Sequence, residues 1–164
     1  MSKKNYNVVL NSNYCTIDSA GNANTNKNYY IDWSAILPDK NFKLTFSFIS
    51  EANFITNMLF VPIITIDFLN QANIDICQTT YQATSSNILG LIFPSYLDPN
   101  AHLANLRADK NFNNPLYLSR PRQNNFNVRL INNNNPPDFW IDDSTPTGQS
   151  ISPYVLILSF EECD

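Results

Sequence analysis

Along "FKLTFSFIS", Leu44, Phe46 and Phe48 alternate with Lys43, Thr45 and Ser47. One face is apolar and the other polar, which is the two-residue period of a half-buried β-strand. "FNVRLIN" repeats the pattern, with Phe126, Val128 and Leu130 facing one way and Asn127, Arg129 and Ile131 the other. Further strands are expected at Tyr6–Leu10, Asn28–Trp33, Phe60–Leu69, Ser86–Phe93, Pro115–Ser119 and Pro153–Glu161, separated by loops of Asn, Asp, Ser and Pro. About eight strands with turn signals throughout predict an all-β fold, a two-sheet antiparallel jelly-roll sandwich with four strands in each sheet. Only "LDPNAHLANLRADK", Leu97–Lys110, reads as a helical turn, because Leu103 and Leu106 fall three apart after a proline.

Several of these strands are apolar on both faces. In "YVLILSF", Leu156, Leu158 and Phe160 fill the interior, which leaves Val155 and Ile157 pointing outward, and "ILGLIF" has the same excess. A sheet wetted on one side alternates more cleanly. Something therefore covers the outer faces, either a long loop or a neighbouring subunit, since outward apolar patches commonly mark association sites.

A chain of 164 residues fits one domain, taken here as residues 1–164, with enough buried surface to hold a core unaided. About one residue in six is Asn, a mediocre helix former, while Phe, Tyr, Ile, Thr and Val suit a pleated surface. The net charge of −4 is distributed in blocks of +2 over residues 1–50, −4 over 51–106, +4 over 107–129 and −6 over 130–164. A protein that coats nucleic acid shows an overall basic balance or a dominant basic face, and this chain has neither. The lysines near the start are followed by no apolar segment of a secretory signal, and no apolar run reaches the length of a spanning helix. Cys15, Cys77 and Cys163 are odd in number and widely spaced, unlike a disulfide framework or a zinc site. Despite the many asparagines there is no N-x-S/T acceptor, and the expectation is a soluble chain that folds inside a cell.

Enzyme chemistry fails mostly on inventory. The single histidine, His102, falls in the expected helical turn and reads as a surface or capping residue. Gly21, Gly90 and Gly148 are scattered, so no phosphate or dinucleotide loop can be built. Gly90 lies within a strand, where glycine marks a bulge or a close backbone approach. Asp142 and Asp143, with Glu51 or Asp67, supply the carboxylates a glycosidase needs, but any chain with 14 acids offers such pairs. "DFWIDDST" offers oxygen atoms for calcium without the spacing of a calcium loop. No enzyme, cofactor or metal site is expected.

The most basic stretch is "LSRPRQNNFNVRL". Arg120 and Arg122 bracket Pro121 just past one strand and Arg129 sits on the polar face of the next, so they form no stripe, and aromatics are not interleaved as on a stacking platform. Their expected role is to meet carboxylates such as Asp138, Asp142, Asp143, Glu161 and Glu162, within the subunit or across to a neighbour. With Trp140, Val155 and Ile157, the residues Arg120, Arg122, Arg129, Asp142 and Asp143 are the candidate interface.

"NYYIDWSAILPDKNFKLTFSFIS", "NPLYLSRPRQNNFNVRLI" and "PYVLILSFEE" together resemble the single-jelly-roll capsid proteins of large double-stranded DNA viruses of eukaryotes and of virophages. The resemblance runs from about Tyr6 to Glu161 and rests on strand pattern. It implies a virion structural protein made in the host cytoplasm, a penton or other minor capsid component. Such a protein forms a homo-oligomer, a pentamer or trimer, and packs against other capsid proteins, with no direct nucleic-acid contact and no membrane span. The same strand pattern fits a second class, a jelly-roll binding module for a glycan or receptor that uses loop aromatics such as Tyr96, Phe139 and Trp140.

Overall fold

The computed structural model describes residues 3–15, 26–54, 63–71, 77–78, 83–84, 87–98, 103–131, 149–151 and 153–163. Among them the strands are β1 (Asn5–Asn11), β2 (Asn26–Tyr30), β3 (Asn41–Phe54), β4 (Ile63–Ile66), β5 (Cys77–Gln78), β6 (Ala83–Thr84), β7 (Ile88–Leu91), β8 (Phe93–Asp98), β9 (Leu103–Ala108), β10 (Leu116–Ser119), β11 (Asn125–Ile131), β12 (Gln149–Ile151) and β13 (Val155–Glu162). One short helix, α1 (Trp33–Ile36), and 3₁₀ turns at Ser12–Tyr14 and Asp67–Gln71 complete them. The molecule is an all-β sandwich of two antiparallel sheets.

The larger sheet runs β1-β13-β3-β9-β8, and β10 and β12 also pair with the long strand β3. Leu44 faces both Leu116 and Phe160, so β10 and β13 flank β3 on opposite sides, and Ala52 likewise faces Ala104 of β9 and Ile151 of β12. The smaller sheet runs β2-β11-β4-β7, and β5 pairs with β6 as a separate ribbon. Two equal four-stranded sheets were expected; instead seven segments share the larger sheet, because β3 is long enough to hold two successive partners along each side.

The period-two strands face as their sequences predict. Register places Phe46 opposite Leu158 and Phe48 opposite Leu156, all inward and buried, and Phe126, Val128 and Leu130 line the facing layer. Burying each such side chain contributes about 1.5–3 kcal/mol. Trp33 joins the layers, its ring centroid 5.6 Å from Phe160 of the larger sheet, 5.6 Å from Phe126 of the smaller and 5.1 Å from Phe68. Its indole Nε1 donates to the Gln123 carbonyl at 3.0 Å, so the buried ring leaves no polar atom stranded.

Three expected elements differ. The strand expected to reach Trp33 ends at Tyr30, because the Asp32 carboxylate accepts from the Ser34 N–H at 3.1 Å and starts α1, swinging Trp33 into the core. "SNILGLIF" is two strands, β7 and β8, that belong to different sheets and change over at buried Ile92. The helical turn at Leu97–Lys110 is replaced, where described, by β8 and β9; Leu106 and Ala108 are buried while Arg107 between them is exposed. Two leucines three apart suit a helix, but β3 offers Leu103–Ala108 a ladder of backbone partners, and that pairing prevails.

Gly90 meets both of its anticipated reasons. The β4–β7 register shifts beside it, and a β-carbon built there would lie 2.6 Å from Phe46 Cε1 and 2.7 Å from the Asn113 side chain.

Candidate functional site

The outer faces of the two sheets differ. On the smaller sheet Ile63 and Thr65 point outward, opposite Ile131 and Arg129, yet each is only 5% exposed, so the chain itself covers that face at β4. On the larger sheet no described residue covers the outer face. Val9 of β1 is 61% exposed and Ile49 of β3 is 49% exposed, with half-buried Val155 and Ile157 of β13 between them. Val9 pairs with Ile157 and Val155 with Ile49, so the four make one diagonal apolar strip across three adjacent strands. The outward position expected for Val155 and Ile157 is observed; Val9 and Ile49 join them only through pairings over 148 and 106 positions of sequence.

Polar groups border the strip. Asn7 Oδ1 accepts from Ser159 Oγ at 2.8 Å, Lys43 faces Glu161 at 3.8 Å, and exposed Arg107 sits opposite Ile49 on β9. Lys40 Nζ donates to Glu162 at 2.7 Å, and the Tyr6 hydroxyl donates to the other oxygen of that carboxylate at 2.9 Å. These two bonds hold the Glu162 carboxyl below the ordinary glutamate range, and the same carboxylate raises the Tyr6 phenol above its usual value. Glu161 and Glu162 are thus met by lysines, not by the arginines expected to meet them.

The arginines separate. Arg120 donates to the Leu37 carbonyl at 3.3 Å and lies 3.6 Å from exposed Asp39, tying the loop after α1 to β10; a pair this exposed contributes under about 1 kcal/mol. Arg122 is exposed and has no ion-pair partner among the described residues. Arg129 lies on the outer face of the smaller sheet, and its Nε is buried without a hydrogen-bond partner. The three do not converge on one site. Trp140, Asp142 and Asp143 lie outside the described residues, as do His102, Asp138 and Phe139, and Tyr96 is placed in β8. Asp67 accepts from Asn127 N–H at 3.0 Å and Nδ2 at 2.7 Å, which gives it a structural role in seating β11.

A small buried polar cluster was not anticipated. The hydroxyls of Tyr29 and Tyr154 are buried against each other, near partly buried Cys15, but neither is held in full hydrogen-bond geometry. Burial pushes the Tyr29 phenol up to about 12 and also raises the Tyr154 phenol well above its ordinary value. Cys15 and Cys163 are free thiols. Among the described residues no three His, Cys, Asp or Glu side chains gather as metal ligands, and no helix is long and apolar enough to cross a membrane.

Comparison of the chain with protein-family models, with curated proteins and with solved structures finds no match.

Proposed function

We propose that this chain is a non-enzymatic structural protein that works by associating with copies of itself, and that its place is the shell of a virion as a minor capsid component. The orders β1-β13-β3, with β9 or β10 beyond β3, and β2-β11-β4-β7 support reading the sandwich as a jelly roll, an architecture that recurs in capsid and lectin domains. Strand order alone serves many functions, so the reading rests on the surface. The observation that carries it is the strip of Val9, Ile157, Val155 and Ile49, bordered by charged and amide groups, on a sheet face that the described residues leave open.

Sedimentation velocity of the wild type and of the Val155→Lys, Ile157→Lys double variant tests it. The wild type is expected to sediment well above the 18.7 kDa of one chain and the variant as a monomer with an unchanged unfolding midpoint. A variant that assembles like the wild type contradicts the role given to this face.

A further inference from the structure

Six strands of the two main sheets have a single ladder partner among the described residues, and all but β1 are short or obstructed; β10 and β12 are only four and three residues long. At β7 the Asn113 side chain receives the Leu91 N–H at 2.9 Å and donates to the Leu91 carbonyl at 2.9 Å, occupying the groups a further strand would use. At β8, Pro94 has no N–H and the register shifts between Pro94 and Tyr96. The β2 edge is five residues long and carries Lys27. Such devices are how edges are kept from pairing with other chains.

The remaining edge, β1, has none of these devices. "NYNVVLN" is seven residues with no charge, glycine or proline. Glu162 N–H donates to the Lys4 carbonyl and Ser12 N–H to the Tyr154 carbonyl, each at 3.0 Å. Antiparallel alternation therefore turns the backbone of Lys4, Tyr6, Val8, Leu10 and Ser12 toward β13, and the N–H and C=O groups of Asn5, Asn7, Val9 and Asn11 toward the open side. Val9, the most exposed member of the apolar strip, stands in the middle of that unpaired row.

We propose that β1 is the strand through which two copies join, antiparallel to its own counterpart about a two-fold axis, with Val9 opposite Val9. This rests on the self-association reading and specifies its contact. The occupant follows from the sequence of the edge. With Val9 on the axis, Asn7 meets Asn11 and Val8 meets Leu10, apolar with apolar and amide with amide. Shifting the axis to residue 8 or residue 7 sets Val9 against Asn7 or Asn5. An isologous contact of this kind closes on itself and does not grow into fibres. It also brings the two apolar strips side by side across the join.

Val9→Pro tests the edge, because it deletes an N–H that β13 does not use and proline is tolerated at such a position. Val9→Lys is the second variant should the first fail to fold. Light scattering is expected to give a dimer, or an even-numbered assembly, for the wild type and a monomer for either variant. Amide exchange at Asn7, Val9 and Asn11 is expected to be slow in the wild type and fast at Asn7 and Asn11 in the variants. A folded variant that keeps the wild-type mass overturns the β1 contact and leaves self-association standing, as does a trimeric or pentameric wild type whose Asn7, Val9 and Asn11 amides exchange freely. A wild type that is monomeric throughout overturns both.

Discussion

The edge of the Phe46 ring lies 2.6 Å from where a β-carbon at Gly90 would be, so the two sheets approach at that point as closely as a missing side chain allows. Phe46 is buried in β3 and has little room to retreat. Gly90→Ala is expected to destabilise by about 1–3 kcal/mol through overpacking. In a Phe46→Leu background the added methyl should cost less, a coupling that urea unfolding of the two single variants and the double variant measures.

Phe126 is the smaller sheet's contribution to the aromatic junction, 5.0 Å from Phe68, 5.6 Å from Trp33 and 6.0 Å from Tyr29 between ring centroids. Truncation to alanine removes those contacts and leaves a cavity between layers. Phe126→Ala and Phe46→Ala are each expected to cost about 3–5 kcal/mol in chemical denaturation. A near-zero change in either places that side chain outside the core.

Both of those rings were legible from local alternation, because a half-buried strand writes its two faces into neighbouring positions. Val155 and Ile157 were legible for the same reason. What was not legible depends on partners far along the chain. Nothing local distinguishes Asn113 from the other asparagines, yet it caps the β7 edge; Lys40 meets Glu162 across 122 positions. The leucines of β9 carry a spacing that a helix also satisfies, and only the presence of β3 decides between them. Asp32 before "WSAI" is a local helix-start signal inside a run otherwise rich in strand-forming aromatics.

Glu162 predicts an acid dependence. Its folded-state carboxyl is depressed first by the Lys40 bond and then by the Tyr6 bond, so its stabilising contribution is present above the ordinary glutamate value of about 4.3 and is lost as pH falls through the lower folded value. The stability gap between wild type and Glu162→Gln is therefore expected at neutral pH and to close in acid. Denaturant unfolding at a series of pH values reads it, and a gap that widens on acidification contradicts the assignment.

Tyr29 predicts a gain. Its hydroxyl is buried with no well-formed hydrogen bond, facing only the Tyr154 hydroxyl, and an unsatisfied buried group costs about 1–3 kcal/mol. Tyr29→Phe keeps the ring against Phe126 and removes the stranded oxygen. Thermal unfolding is expected at the same temperature or higher; a clear drop means the hydroxyl makes a bond the fold depends on.

The central claim is that the open outer face and edge of the larger sheet exist to be covered by another copy of the chain. Multi-angle light scattering of the purified protein over a wide concentration range measures this most directly. The expected mass is a multiple of 18.7 kDa that persists on dilution, and a mass of 18.7 kDa at the highest concentration reached contradicts the account.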